Sequence, residues 1–599
     1  MNKLLSLFAA KRGKIVAGAL TLALAGEIAV GGIWNSVSPN ISFAGETEVQ
    51  KTVFEPEEVD KGETQTYEFS IRADYDATFT MAELIVINGD MGSDLNRVQS
   101  ATIILNDKEV LGSADISEAV DRIEVPVRLS QNNELIVSIG NENGEGSYLT
   151  IQIDYEVGPT GPIFSGPQQY PFVCRTEYGE HHLGQPLVDN EVVDGQGIQI
   201  KDETGVVIGY SKDCLIPTQV DYFYRWDGTF YHLADPTNLP GNIDETVTSE
   251  GDRVKFIVRL ERGTINRFIY GIAMLVDPSE DLESPWDLSA WNNKLVYSFG
   301  GGVGIGHDQG ILGLGLNGLW WLGLLYHEAL PLGYAVVIST GNVTIFNMNI
   351  LLGGETALMV KDHFVNRYGE PEYTISAGFS GGGLQQYVYS QNWPGLLDGI
   401  VPSGSYPDMD TQTIPAGDCN LLEYYFDVVA PWPDWLEGQK DCTFGGPNCE
   451  DINPSQENRK LIEGMNSTVS NTECCAAWQG LVPLCMNPLY TNVSKDLLDL
   501  QHPQELVKAV KWTHADNLVT IFGLDEYGYA RTYWDNVGVQ YGLQALKEGN
   551  ISIERFLDIN ARIGGWKQTH EMVPEDLGSD PWSIRNANIP TNDEVAPRT

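Results

Sequence analysis

Apolar and polar side chains alternate in short runs between residues 47 and 157. Alternation with a period of two places the apolar side chains on one face of an extended chain. Turn-forming residues separate the runs at short intervals, a pattern typical of sheets built from many short strands. The pattern predicts a β-sandwich over residues 47–157, with strands at Tyr67–Ile71, Ala101–Leu105, Ile123–Val127, Glu134–Ile139 and Tyr148–Ile153.

A linker rich in Gly and Pro, residues 157–162, separates this region from a second predicted domain at 163–599. Inside that domain, Arg253–Leu260 and Ile265–Val276 are apolar enough to form a strand pair. Gly263 lies between them, so the sequence predicts a hairpin that turns at Gly263.

From about residue 294 apolar strands alternate with helical stretches. Repeated strand–helix units predict an α/β domain of the α/β-hydrolase type, with a mainly parallel sheet covered on both faces. The expected strands are Leu295–Phe299, Tyr334–Ser339, Tyr373–Ala377, Gly399–Pro402 and Asn517–Phe522, and the expected helices are Glu355–Tyr368, Gly381–Gln391, Asp535–Glu548 and Ser552–Ile563.

The pentapeptide Gly378-Phe379-Ser380-Gly381-Gly382 matches G-x-S-x-G. In serine hydrolases this motif forms a sharp turn between a buried strand and a helix, and it exposes the serine hydroxyl as a nucleophile. The five residues alone would also suit a structural turn, but here a predicted strand precedes them and a predicted helix follows. Ser380 is therefore the predicted nucleophile.

Ester or amide hydrolysis also needs two N–H donors aimed at the developing oxyanion. The amide of Gly381, directly after the serine, is one predicted donor. The strand Leu295–Phe299 runs into three consecutive glycines, 300–302, and the amide of Gly301 is the second predicted donor. A phosphate-binding loop is the competing interpretation, but the G-K-[ST] signature is missing.

In this fold the acid and the base normally follow the serine, in that order. His570, near the C-terminal end, is the predicted base, and Asp525, after the expected strand Asn517–Phe522, is the predicted acid. Both are also compatible with a solvated surface role.

The first residues carry Lys and Arg and are followed by an apolar run from Ile15 to Ile33. This is the layout of an export signal at residues 1–44, with an uncleaved N-terminal anchor as the alternative. We therefore expect a periplasmic or extracellular protein. The formal charge of −46 opposes binding of nucleic acid and of anionic membranes.

Six of the eight cysteines lie between Cys419 and Cys485. In an exported protein an even count predicts disulfides, four if all pair. A zinc site is the alternative, but no histidine lies in this stretch and two CxxC pairs are absent. The stretch at about 411–500 is predicted to be a Cys-rich lid insertion. The sequence predicts no metal and no cofactor.

Two stretches resemble known families. Ala101–Leu111 and the strands after it resemble a small sandwich module of exported bacterial proteins, which implies a spacer role, with carbohydrate binding as the alternative. The segments YSFGGGVGIGHDQG, AGFSGGG and WDNVGVQYGLQAL resemble a bacterial family of exported tannase-like α/β-hydrolases, over roughly 163–569. That family is distantly similar to hydroxybutyrate-oligomer hydrolases and to tannase and feruloyl-type esterases.

The resemblance implies a serine hydrolase that cleaves a small-molecule or oligomeric carboxylic ester through an acyl-enzyme on Ser380. Amide hydrolysis would use the same machinery and stays open. The resemblance also implies that relatives continue past the region of Gly564, with their acid and histidine there. The alternative is accordingly a non-catalytic or truncated hydrolase-fold protein that binds a ligand or a surface.

Overall fold

The computed structural model describes residues 52–408 and 514–574 with gaps, together with isolated positions between 414 and 489 and Asn588. The longer gaps are 72–78, 141–145, most of 160–213, 279–285 and most of 303–323. The predicted export signal at 1–44, most of the Cys-rich stretch at 411–500 and seven of the eight cysteines lie outside the described residues. Cys214 is described, buried and disulfide-bonded.

The strands occupy the following ranges: β1 Thr52–Asp60, β2 Thr64–Ser70, β3 Phe79–Asn88, β4 Ala101–Leu105, β5 Lys108–Leu111, β6 Arg122–Leu129, β7 Asn132–Ile139, β8 Tyr148–Tyr155, β9 Asn190–Glu191, β10 Ile198–Lys201, β11 Val207–Ser211, β12 Gln219–Trp226, β13 Thr229–His232, β14 Glu245–Val247, β15 Arg253–Lys255, β16 Ile257–Ile265, β17 Phe268–Leu275, β18 Asp277–Pro278, β19 Trp286–Asp287, β20 Lys294–Phe299, β21 Ala335–Ser339, β22 Tyr373–Phe379 and β23 Gly399–Ser403. The α-helices are α1 Ile350–Tyr368, α2 Gly381–Asn392, α3 His514–Phe522, α4 Leu543–Lys547 and α5 Ile553–Arg562. No helix in the described part of the chain is long and apolar enough to cross a membrane.

The first eight strands lie in two sheets whose buried side chains share one cluster. One sheet has the order β2-β7-β4-β5, and the other contains β1, β8, β3 and β6. Val59, Leu84, Ile103, Val137 and Leu149 contribute to the shared core and are fully buried. The five predicted runs are all strands, whereas a separate accessory sandwich over 47–157 stays a prediction.

One of these sheets continues past the predicted linker into the second predicted domain. The start of β3 pairs antiparallel with the start of β12, Thr80 with Gln219 and Phe79 with Val220. The Thr218 amide also donates to the Glu156 carbonyl at 2.8 Å. The result is a sheet with the path β1-β8-β3-β12-β16-β17-β21-β20-β22-β23.

The prediction of a mainly parallel sheet is wrong, because this sheet is mixed. Among the described strands, only β21, β20, β22 and β23 pair in parallel. The strands before them form antiparallel pairs. The strand–helix alternation is confined to the stretch after residue 294, so parallel pairing is confined to it as well.

The predicted hairpin exists, but its turn is not at Gly263. The strands β16 and β17 pair from Val258–Leu275 to Ile265–Phe268, and Asn266 and Arg267 form the two-residue turn. Both have positive φ, 54° and 71°, as a tight hairpin of this kind requires. Gly263 lies within the strand instead, where a Cβ would approach the Tyr270 ring to 3.0 Å.

Two further sequence predictions need correction. Asn517–Phe522, expected as a strand, belongs to helix α3, whose apolar side chains recur with helical spacing. Within the expected helix Asp535–Glu548, only Leu543–Lys547 is helical. Gly538 and Gly542 both have positive φ there, a conformation that interrupts a helix.

A buried ionic cluster ties α1 to β16. The Glu261 carboxylate, fully buried, lies 2.9 Å from Nε of Arg367, 3.1 Å from Nη1 of Arg259 and 2.6 Å from Nε2 of His363. Burial alone would raise the pKa of Glu261, but Arg367, His363 and Arg259 outweigh it and hold the pKa well below its usual value. Glu261 is therefore ionised in the fold.

Replacing Glu261 with Gln should destabilise the protein strongly. The amide keeps the shape of the side chain but leaves Arg259 and Arg367 without their shared buried carboxylate, a loss that costs about 3–5 kcal/mol. Urea denaturation measures the change. The matched control is Glu245→Gln, which breaks the exposed pair with Arg253 and should cost less than about 1 kcal/mol. Equal losses in the two variants would contradict the prediction.

Candidate active site

Ser380 is positioned by the sharp turn between β22 and α2. Its backbone has φ 59° and ψ −120°, a strained combination for a residue with a side chain. The Ser380 amide donates to the Ser403 carbonyl at 2.9 Å, and the Ser380 carbonyl accepts from the amides of Gly383 and Leu384. These bonds hold the turn from both sides.

Two glycines of the motif allow β20 and α2 to meet. A Cβ on Gly382 would lie 2.2 Å from the carbonyl oxygen of Phe299, and one on Gly378 would lie 2.6 Å from the same oxygen. Neither position has room for a side chain. The G-x-S-x-G spacing is thus explained by packing of the strand, the turn and the helix on each other.

The two predicted oxyanion donors lie next to the serine. A Cβ placed on Gly301 would be 3.1 Å from Ser380 Cβ and 3.3 Å from the Gly381 nitrogen, so the backbones of Gly301 and Gly381 adjoin Ser380. Gly381 is the first residue of α2, where amides lack a partner within the helix. Within the described ranges, neither amide donates to another residue.

Two polar side chains that the sequence analysis missed hold this arrangement. The Gln385 side-chain amide donates to the carbonyls of Gly300, Asn342 and Gly381 at 3.0, 3.1 and 3.2 Å. The Thr344 hydroxyl donates to the Gly302 carbonyl at 2.6 Å. Neither residue belongs to a motif, and only the position of Gln385 one turn into α2 could have drawn attention to it.

The site lies at a topological switch point of the sheet. The strand β20 has β21 on one side and β22 on the other, and the Gly300–Gly302 loop and Ser380 follow the carboxyl ends of β20 and β22. In open α/β sheets, ligands bind in the crevice outside the carboxyl ends of such strands. The position is therefore one where a ligand is expected.

His570 and Asp525 each contact Tyr527, one through its ring and the other through its backbone amide. The rings of His570 and Tyr527 stack with centroids 3.7 Å apart. The Asp525 carboxylate accepts from the amides of Tyr527 and Tyr529, both at 2.9 Å. No hydrogen bond links either residue to Ser380 in the described part of the chain, and their roles as base and acid stay predictions.

A different histidine lies in a cavity beside the serine's helix. His514, the first residue of α3, is 2% exposed, and neither of its ring nitrogens has a hydrogen-bond partner among the described residues. Burial lowers its pKa from 6.5 to about 4. The cavity has a volume of about 210 Å³, and its wall includes Thr344, Leu384 and Leu518. His514 is therefore neutral at ordinary pH.

The described residues contain no group of three or more His, Cys, Asp or Glu side chains that could hold a metal ion.

A family model described as a tannase-like family of unknown function matches residues 84–589. No curated protein matches the chain.

Solved structures give distant likenesses. Tannin acyl hydrolase from Aspergillus niger has 15% identity and a TM-score of 0.20, over 31% of this chain and 34% of that one. Feruloyl esterase B from Aspergillus oryzae has 16% identity and a TM-score of 0.18, over 40% and 49%. Candida antarctica lipase A has 13% identity and a TM-score of 0.17, over 30% and 38%. The chain thus spans less than two thirds of these proteins, and likenesses of this size identify neither fold nor activity.

Replacing Gly382 with Ala should disrupt the turn. The new methyl group would meet the Phe299 carbonyl, and because that atom belongs to the backbone of β20, the strand and helix must separate. We expect a loss of about 1–3 kcal/mol in the free energy of unfolding. Gly241→Ala is the matched control, since nothing lies within 4 Å of a Cβ there. Chemical denaturation of both variants tests this, and an unchanged stability of Gly382→Ala would refute it.

Acid should destabilise the protein through His514. The unfolded chain protonates this histidine below about pH 6.5, whereas the folded chain protonates it only near pH 4. Above pH 6.5 the folded protein therefore loses no stability through His514. As the pH falls from 6.5 towards 4, the contribution of this neutral, buried histidine to stability is progressively lost. In His514→Leu this loss is absent, so its stability relative to the unmodified protein should rise between pH 7 and pH 4.5. Thermal denaturation at both values measures the difference, and a pH-independent difference would disprove the assignment.

Proposed function

Because the chain belongs to the tannase-like family of unknown function, we propose that it is a serine hydrolase that cleaves carboxylic esters. The observation that carries the proposal is the strained turn at Ser380, flanked by the Gly381 and Gly301 amides that no described residue uses. The description of the family as tannase-like also supports a hydrolase of ester substrates.

In the proposed reaction, Ser380 Oγ attacks the carbonyl carbon of the ester while a histidine takes the hydroxyl proton. The carbonyl oxygen becomes an oxyanion, which the Gly381 and Gly301 amides stabilise. The tetrahedral intermediate then expels the alcohol, which receives the proton, and leaves an acyl group on Ser380. Water activated by the same histidine releases the acid and restores the serine.

His570 is the proposed base and Asp525 its proposed partner. The Tyr527 ring stacks on the His570 imidazole, and the Tyr527 amide donates to the Asp525 carboxylate, which supports the pairing. For catalysis the imidazole must come within hydrogen-bond reach of Ser380. Export to the periplasm or the cell exterior is part of the proposal, and its support is the signal-like pattern of residues 1–44.

Ser380→Ala should abolish hydrolysis of short- and medium-chain p-nitrophenyl esters. Loss of the nucleophile removes the acyl-enzyme route, and we expect a decrease in kcat/KM of about 10³-fold or more. A fluorophosphonate probe should label the unmodified protein and not the variant. Ser289→Ala, at an exposed serine on a 3₁₀-helix, should keep both activities.

His570→Ala tests the base separately. If His570 is the base, the variant should lose hydrolysis about as fully as Ser380→Ala, because members of a triad act as a unit. Turnover by His570→Ala at the original rate would exclude His570. Absence of both turnover and labelling in the folded, unmodified protein would favour a non-catalytic binding protein on a hydrolase scaffold.

A further inference from the structure

The cavity at His514 holds a polar group that no described residue satisfies. An imidazole buried without hydrogen-bond partners costs about 1–3 kcal/mol of stability. Both ring nitrogens of His514 are in that condition among the described residues, although the residue is 2% exposed and lines a cavity of about 210 Å³. A ligand in the cavity would supply the missing partner.

The lining defines what kind of ligand fits. Apolar side chains from three segments, including Met348, Leu384 and Leu518, form much of the wall. A cavity of roughly 150 Å³ with apolar walls holds one benzene ring. A volume of about 210 Å³ therefore accommodates one substituted ring or a short acyl chain.

The position of the cavity connects it to the serine. Leu384, in its wall, donates its amide to the Ser380 carbonyl at 3.1 Å. Thr344, also in its wall, bonds Gly302, and its hydroxyl lies 2.1 Å from where a Cβ on Gly381 would be. The cavity thus borders the two loops that would hold the ester carbonyl.

We infer that this cavity is the acyl-binding pocket and that His514 determines its specificity, selecting compact, mainly apolar acyl groups that carry one hydroxyl. A neutral imidazole has one donor and one acceptor nitrogen, and a hydroxyl can pair with either. The acyl group stays bonded to Ser380 after the alcohol has left, so a cavity that borders the serine's turn can hold it through both steps of the reaction. This inference rests on the proposed ester hydrolysis at Ser380.

Asp408 faces the same cavity from the segment after β23. Together with His514 it gives the mainly apolar wall a polar end.

The first test compares p-nitrophenyl esters that differ only by a hydroxyl on the acyl group: hexanoate with 6-hydroxyhexanoate, and benzoate with 4-hydroxybenzoate. The unmodified protein should favour the hydroxylated member of at least one pair by about tenfold in kcat/KM, the factor expected for one satisfied buried hydrogen bond. His514→Leu should remove this preference, and His514→Gln, which keeps a donor and an acceptor, should restore part of it. Val519→Ala, on the same helix but outside the cavity lining, is the matched control and should keep it.

Stability separates a binding role from a structural one. His514→Leu should raise the melting temperature of the ligand-free protein, since it removes an unsatisfied polar group. If His514 served only the packing of α3, the variant would melt earlier and the substrate preference would not change. A preference that is absent in the unmodified protein, or that survives in His514→Leu, overturns the inference.

The second test does not need hydrolysis. Calorimetry on the Ser380→Ala protein compares phenol with benzene, which differ by one hydroxyl. Phenol should bind more tightly, and His514→Leu in the same background should weaken phenol binding about tenfold while leaving benzene unaffected. If phenol binding depends on His514 in this way but the wild-type protein hydrolyses no ester, the proposed hydrolysis is rejected and the proposed binding pocket stands. Equal binding of phenol with and without His514 would reject the pocket, whatever the activity.

Discussion

The arrangement around Ser380 depends on one close contact, between the carbonyl of Phe299 at the end of β20 and the first turn of α2. Gly378 and Gly382 both face this oxygen at distances that exclude a Cβ. Because the helix can come this near, Ser380 is held with φ 59° and Gly301 adjoins the Gly381 amide. The strain at the serine is balanced by the packing of the strand on the helix.

The sequence predicted this part of the fold well because its determinants are local. A strand, a turn with small residues and a helix are consecutive in the chain, so the motif around Ser380 carries the information for its own geometry. The same holds for Gly301, which follows directly after β20. Gln385 and Thr344 were missed, because their role is to bond carbonyls that come from distant parts of the chain.

The errors lie where tertiary contacts decide. Gly263 is predicted to be a turn residue, but it lies inside the strand, where a Cβ would crowd the Tyr270 ring. Asn266 and Arg267 form the turn instead. The sequence predicts a strand where α3 lies because the apolar run is short, and short apolar runs do not distinguish strands from helices. His514 at its start therefore had no predicted role. Only the tertiary structure shows that its imidazole lines a cavity shared with α2 and is buried without hydrogen-bond partners among the described residues.

The strands before the predicted linker are connected to the chain after it on the side of the sheet where α1 packs. Arg367 of α1 lies 2.7 Å from Glu156, just after β8, and 2.9 Å from Glu261 in β16. The strands β3 and β12 pair at the same junction. Removing the chain up to Glu156 would expose the edge of β12 that pairs with β3. It would also deprive Arg367 of the Glu156 carboxylate, one of its two. The strands β1, β8, β3 and β6 therefore belong to the same sheet as β22, which leads into Ser380. In a detachable spacer, water would have to replace both of these connections.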